Sequence, residues 1–160
     1  MAQMDAEQLI SVYSESISKS GFRSYPDLKD SDRVLRAEND FLSYLREDFF
    51  SIKKSMYAVW VAEGCYLAAL RLEPYKDGLL LEALETMPTA RRKGYAYNLV
   101  TEVLYYLRST EWKCVYSHIA KRNNPSLCIH KKCGFRIIAD SASYIDGTVT
   151  QNSFTLRYDL

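Results

Sequence analysis

Between Asp5 and Gly21 the apolar residues Leu9, Ile10, Tyr13 and Ile17 recur on one face of a 3.6-residue period. That spacing predicts a first helix, opened by an Asp5/Gln8 capping box and stopped at Gly21. Residues 22–30 hold Pro26 and turn formers. Beyond them Val34, Leu35, Phe41, Leu42, Leu45 and Phe49 predict a second, broken helical region, with Arg36, Glu38, Arg46, Glu47 and Asp48 on its solvated faces. From Tyr57 the pattern changes to β-branched and aromatic runs. Residues 57–62 and 65–72 form a predicted hairpin around Glu63-Gly64, residues 74–78 a turn, and residues 79–85 a strand apolar enough to lie centrally in a sheet. Pro88 ends that run. After the basic turn Arg91-Arg92-Lys93-Gly94, the residues Ala96, Leu99, Val100, Val103, Leu104 and Leu107 line one helical face. Residues 114–119 follow as a strand, which a crossover helix should place parallel to the one before. Asn124-Pro125 and Gly134 bound a short helix, and residues 136–144 and 153–159 read as two closing strands around the Asp146-Gly147 turn.

Helix, helix, three strands, helix, strand, helix and two strands describe a mixed α/β fold. A chain of 160 residues without a repeat, low-complexity tract or Pro/Gly-rich linker is expected to be one domain, residues 1–160. Its 48% hydrophobic content can fill a core, which argues against disorder. A formal net charge of +1 supplies no global attraction for nucleic acid or anionic membrane, so anion binding has to come from local clusters. Cys65, Cys114, Cys128 and Cys133 show neither CxxC pairing nor disulfide-framework spacing, which favours a reduced, intracellular setting. The N-terminus lacks the basic and apolar regions of a signal peptide, and no apolar run reaches the ~18 residues of a membrane helix. A soluble, cytoplasmic protein is the expectation.

The turn after Pro88 is where chemistry first becomes readable. Backbone NH groups in the first turn of a helix have no intrahelical partner, and the helix dipole adds partial positive charge there. Gly94 leaves room for close approach, while Arg91, Arg92 and Lys93 supply full charges around the rim. A pyrophosphate suits such a place. GxxxxGK[ST] and GxGxxG are both absent, which counts against a P-loop nucleotidase and a dinucleotide fold. The same residues could equally form a solvated helix start.

The second half of the chain shifts that balance. Arg91-x-x-Gly94-x-Ala96 resembles the (Q/R)xxGx(G/A) acyl-coenzyme A loop of the GCN5-related N-acetyltransferase (GNAT) superfamily. The run from Asn123-Asn124-Pro125-Ser126 through His130 to Gly134-Phe135 is similar to that superfamily's NxxAxxLYxKxGF signature. The resemblance covers most of the chain from Tyr57 onward. It implies a mostly antiparallel central sheet with a splayed parallel strand pair, residues 79–86 and 114–119, flanked by about four helices, and an opening strand that is shortened or absent. It also implies acetyl-coenzyme A as co-substrate and no metal. Pantetheine would pair with backbone around Leu84, Glu85 and Thr86, and NH groups of Arg92, Lys93, Gly94, Tyr95 and Ala96 would hold the pyrophosphate. Asn123 would contact the cofactor near its acyl end, with Ser126 beside it.

Amine attack on a thioester requires a neutral nucleophile and a protonated leaving thiol, hence a base and an acid. His118, at the end of its strand, stands where some family members carry a glutamate base; a strand-end histidine satisfied by backbone is the alternative. Glu82 is the rival base, because it interrupts an apolar strand; an ion pair or solvent-reaching face is its alternative, and for Glu85 that alternative is stronger. His130 replaces the tyrosine that usually protonates the thiolate, and histidine donates only in a suitable protonation state. By family analogy, Tyr25, Tyr44 and Tyr144 are candidates for an acceptor pocket. Arg122, Lys131 and Lys132 either approach the phosphates or face solvent. Cys128 and Cys133 read as small apolar packing residues.

The leading expectation is an acyl-coenzyme A-dependent N-acyltransferase that moves acetyl to a primary amine of a small molecule or peptide by direct attack in a ternary complex. A non-catalytic acyl-coenzyme A sensor of the same fold is the alternative, motivated by His130. Neither nucleic-acid nor membrane partners are expected, and a homodimer is compatible with the sequence. Basic clusters at residues 91–93, 121–122 and 131–132 are all that a nucleic-acid reading has.

Overall fold

The computed structural model describes residues 4–160, so the reading of Met1 to Gln3 lies outside the described residues. Among the described residues no strand precedes the first helix, α1 (Ala6–Ser24). Asp5 caps it, its Oδ1 accepting from the Gln8 NH at 3.1 Å. The reciprocal half of the box goes elsewhere: Gln8 donates to the Asp5 carboxylate and accepts the Tyr66 NH. Gly21 does not stop this helix. A Cβ there would sit 2.5 Å from the Arg33 carbonyl, so the glycine lets α2 (Asp30–Ser43) cross closely. The expected break in the second helical region is a π-helical turn, Tyr44–Asp48, followed by a 3₁₀ turn, Phe49–Ser51.

Strands β1 (Met56–Ala62), β2 (Cys65–Tyr75) and β3 (Gly78–Thr86) form an antiparallel meander. β2 and β3 run longer than the sequence suggested, and Pro74 belongs to β2, paired with Leu79. This is permitted because β1 stops pairing at Leu72, so the missing proline NH faces an open edge. Helix α3 (Tyr95–Leu107) crosses over to β4 (Cys114–Ala120), which lies parallel to β3 as expected. Helix α4 (Asn124–Lys132) precedes β5 (Arg136–Ala139), β6 (Ala142–Ser143), β7 (Val149–Thr150) and β8 (Ser153–Asp159). The six-stranded sheet has the order β1-β2-β3-β4-β8-β5, mostly antiparallel, with β3 and β4 its parallel pair. One expectation is corrected here. The Asp146-Gly147 turn closes a separate β6–β7 hairpin, because residues 136–144 break at Asp140-Ser141 and only β5 reaches β8.

Alternation along the strands sends side chains to two cores. Leu70, Leu72, Leu79, Leu81, Val115, Ile119 and Leu156 pack against α3 and α4 through Leu99, Val100, Leu104, Leu107 and Leu127. On the opposite face Tyr57, Val59, Ala69 and Ala83 pack against α1 and α2 through Leu9, Val12, Tyr13, Ile17 and Ala37. That second face also carries Arg71, Glu73 and Tyr75 of β2, Glu82 of β3 and His118 of β4, by the same parity.

Candidate functional site

β3 and β4 are paired only from Leu79 to Leu81, opposite Val115 to Ser117, and the Ser117 hydroxyl donates to the Leu81 carbonyl at 3.1 Å. Beyond that bond the strands part. β3 is bulged there: Ala69 pairs with Glu85 and Arg71 with Glu82, so Leu70 faces both Ala83 and Leu84. Ala83 takes a left-handed φ of +49°, and the Tyr13 hydroxyl donates to its carbonyl at 2.8 Å. The bulge bends β3 away from β4. Glu85 and Thr86 therefore keep their pairing to β2, and from Leu84 to Thr86 the β4-facing edge is open.

β3 leads directly into the basic turn. Pro88–Ala90 is a 3₁₀ turn, and Gly94 forms the N-cap of α3 with φ +87° and no side-chain cap. A Cβ on Gly94 would meet nothing within 4 Å. The glycine is thus required by its backbone conformation, and the space beside it is open. Arg92, also at positive φ, and Lys93 are exposed, whereas Arg91 forms a two-pronged ion pair with Glu15 of α1, 3.0 Å on each side. The amides of Tyr95 and Ala96 begin the helix uncapped, an arrangement that attracts anions.

Across the splay, α4 supplies the remaining signature residues. Asn123, not Asn124, is its N-cap; the Asn123 Oδ1 accepts from the Ser126 NH at 3.2 Å. His130 is 1% exposed and packs edge-on against Phe135. Its Nδ1 lies 2.9 Å from the Ser126 carbonyl, which fixes that nitrogen as the donor, and its Nε2 is buried without a partner. Burial lowers its pKa, against the favourable backbone bond. His130 therefore stands on the α3-side core, away from His118 and Glu82.

His118 and Glu82 do share a face. The His118 Nε2 meets the Ser143 carbonyl at 3.0 Å and Nδ1 faces the Thr155 hydroxyl at 3.3 Å, with Tyr75 and Tyr144 edge-on to the ring. Burial lowers its pKa, with the Ser143 bond and the nearby Glu82 charge working the other way. Glu82 pairs with Arg71 at 3.4 Å. The Arg71 guanidinium is held over the rings of Tyr44 and Phe49, at 4.9 and 5.8 Å, and its Nε is buried without a partner. Glu73 lies next to this pair, 8% exposed; burial and the Glu82 carboxyl push its pKa up to about 6.

A cleft of about 410 Å³ opens between α1, α2 and the bulge, lined by Tyr13, Ser16, Phe41, Tyr44, Arg71 and Glu85 among others. Ser16 donates to the Glu85 carboxylate and Tyr25 to Asp40, which also lines the cleft. Burial raises the pKa of Glu85. Sequence reasoning passed over Glu73, Arg71 and the α1 wall. The signal for the first two was present: an Arg-x-Glu pair with period-two spacing inside an apolar strand puts both charges on one face. Among the described residues no group of His, Cys, Asp and Glu is placed to hold a metal ion, and no helix is long and apolar enough to cross a membrane.

Residues 22–135 match the model of the acetyltransferase (GNAT) family. Among solved structures, the chain is similar to PaiA N-acetyltransferase from Thermoplasma acidophilum in complex with coenzyme A, with 14% identity over 98% of this chain and 93% of that one and a TM-score of 0.65. It is likewise similar to ribosomal-protein-alanine N-acetyltransferase from Brucella melitensis, with 15% identity, 98% and 94% coverage and a TM-score of 0.64. The microcin C7 self immunity acetyltransferase MccE, solved with acetyl-CoA and AMP, gives 14%, 97% and 87%, and 0.62. At such identities the likeness is one of fold. No curated protein sequence matches the chain.

Proposed function

The chain belongs to the acetyltransferase (GNAT) family, and from that premise we propose that it transfers the acetyl group of acetyl-coenzyme A to a primary amine of a small molecule or peptide. One observation carries this reading: the open edge of β3 at Leu84–Thr86 runs directly into the uncapped N-terminus of α3. A cofactor with an amide-bearing arm and a pyrophosphate matches that sequence of backbone groups. Pantetheine pairs with Leu84, Glu85 and Thr86; amides from Arg92 to Ala96 take the pyrophosphate, with Arg91, Arg92 and Lys93 adding charge. Asn123 and Ser126 flank the acyl end. A free backbone NH on the β3 edge serves the oxyanion that develops during attack.

The acceptor approaches from the α1/α2 face. Asp40 and Glu85 give its cleft an acidic character that suits an amine arriving as a cation. Once neutral, the amine attacks the thioester carbonyl. The C–N bond forms, an N–H proton passes to a base, and the C–S bond breaks with its electron pair leaving on sulfur. Glu82 is the proposed proton acceptor, with His118 on the same face as the rival. His118 commits Nε2 to the Ser143 carbonyl, and the Thr155 hydroxyl, which donates to the Ser141 carbonyl, stands in front of Nδ1. His130 keeps the proposed acid position under one condition: it can give a proton from Nε2 only when doubly protonated, a form that burial disfavours. At neutral pH, solvent protonates the thiolate.

That condition on His130 also favours a second reading, a sensor that binds acyl-coenzyme A without transferring the acyl group. Calorimetry with acetyl-coenzyme A and release of free thiol across an amine and peptide panel separate the two. Binding with amine-dependent thiol release is expected; binding without release favours the sensor, and no binding overturns both. The free thiols Cys65, Cys114, Cys128 and Cys133 suit a reducing, cytoplasmic setting.

A further inference from the structure

Glu73 has no place in the chemistry above, yet it is an almost fully buried carboxyl beside the proposed base. We propose that Glu73 is a positioning residue for that base: Glu73 and Glu82 form one carboxylate pair, backed by Arg71, that takes up a single proton from the attacking amine. The inference rests on the acetyl-transfer reading and assigns a part to a residue outside it.

Register places the pair. Arg71 lies opposite Glu82 across the β2–β3 ladder, and Glu73, two residues on, projects from the same face, diagonal to Glu82. Glu73 has the Glu82 carboxyl as its unfavourable charge neighbour and the Arg71 guanidinium as a favourable one. Arg71 cannot swing away to pair with each carboxylate in turn, because Tyr44 and Phe49 hold its guanidinium. From the π-helical turn the pair is faced by Tyr44, with Asp48 beyond it, and from β4 by His118, next to which lies Lys76. Two carboxylates against one fixed guanidinium leave an excess negative charge in a largely buried place, and taking up a proton removes it. Hence the rise of the Glu73 pKa to about 6, far nearer a working pH than an ordinary carboxyl.

The consequence is chemical. A carboxylate set beside a second one accepts an amine proton more readily than an isolated carboxylate does, because the proton relieves their repulsion. During attack the amine proton goes to the Glu82 oxygen, where the neighbouring Glu73 carboxylate helps to hold it. After the thiolate leaves and takes a proton from solvent, the pair returns its proton to solvent. Atoms and charge then balance as amine plus thioester giving amide plus thiol.

Two measurements on the full chain test this. Carboxyl-¹³C NMR of glutamate-labelled protein, assigned with Glu73→Gln and Glu82→Gln, should show the Glu73 resonance titrating near pH 6, and Glu82→Gln should lower that midpoint. Thiol release from acetyl-coenzyme A with n-butylamine as the probe should show an acid limb of kcat/KM near the same pH. Glu73→Gln should shift that limb and lower kcat about tenfold by weakening the base, Glu73→Asp should restore both, and acetyl-coenzyme A affinity by calorimetry should stay unchanged. A Glu73 midpoint that Glu82→Gln leaves unmoved, or an unmoved limb in Glu73→Gln, overturns the proposal. Should n-butylamine not be turned over, the NMR titration decides alone. Failure of acetyl-coenzyme A to bind overturns the acetyl-transfer reading instead, and leaves the Glu73 titration to be read on its own.

Discussion

The turn from Pro88 to Ala96 and the face bearing Arg71, Glu73, Glu82 and His118 adjoin the same strand, β3, but they are made of different material. The turn is contiguous in sequence and offers backbone: an uncapped helix start, a left-handed glycine and an open strand edge. The face is side-chain chemistry gathered from β2, β3 and β4 and held by the π-helical turn and the β6–β7 hairpin. A backbone site tolerates changes of side chain and fails when its conformation or potential changes. A side-chain site fails one residue at a time, and it depends on register, since a shift by one position would turn every charge to the other core.

The largest effect is expected where the backbone site is given the wrong charge. Aspartate and asparagine are close in shape and both accept a left-handed φ, so Gly94→Asp and Gly94→Asn differ chiefly by one negative charge. Gly94→Asp should weaken acetyl-coenzyme A binding by about 100-fold or more, the scale of a like charge set against a phosphate near the surface. Gly94→Asn should stay within about tenfold of the parent, the cost of mild strain. Calorimetry reads both, and equal affinities would remove the pyrophosphate from this turn.

The converse holds on the side-chain face. Glu82→Gln should lower kcat by about 10²-fold or more with acetyl-coenzyme A affinity intact, since general-base catalysis is lost and the cofactor contacts are not. His118→Ala should lower kcat by only about tenfold, because its ring bond to Ser143 and its contact with Thr155 make it a support of that face. A larger loss for His118→Ala would move the base from Glu82 to the histidine.

The same contrast explains what the chain disclosed beforehand. Local patterns reported local structure: the α3 stripe, the β1–β2 hairpin, the parallel β3–β4 pair and the turn all follow from residues near one another. The failures were tertiary. Gly21 looks like a stop until α2 is laid across it, and Pro74 looks like a turn until the end of β1 frees its side of β2. Glu73 was hidden because its meaning comes from Glu82 on another strand, and that neighbourhood emerges only once Pro74 is placed inside β2, in the register that runs from Tyr75 opposite Gly78. The cleft was hidden for the same reason, since Ser16 and Asp40 are ordinary helix-surface residues until Glu85 and Tyr25 meet them.

His130 crosses the contrast, being a side chain on the backbone side, and its effect should appear in stability. Its pKa is lowered in the folded protein by burial, so below about pH 6.5 the unfolded chain binds a proton that the folded one refuses. Stability is therefore full above that pH and is lost as pH falls toward the folded pKa. His118, also lowered, adds to the loss. Urea midpoints at pH 7.5 and 5.5 should show the decline, and His130→Phe should make it shallower. An unchanged slope would mean that His130 protonates without cost, and would return to it the acid role at neutral pH.

The smallest effect is expected at the ion pair that ties the turn to α1. Glu15 stands on α1, the wall of the acceptor cleft, and its carboxylate takes both terminal nitrogens of Arg91 at the cofactor turn. Both side chains are 43% exposed, so the pair does little for stability. Its interest lies in competition, because Arg91 cannot give the same two nitrogens to Glu15 and to a phosphate. Glu15→Ala should thus tighten acetyl-coenzyme A binding about threefold at low ionic strength, an advantage that fades as salt screens the charges. Arg91→Ala should weaken binding by a similar factor, and the double variant should behave as Arg91→Ala alone. If Glu15→Ala instead weakens binding, the pair holds the turn in shape for the cofactor, and the backbone site leans on a side chain from the acceptor wall after all.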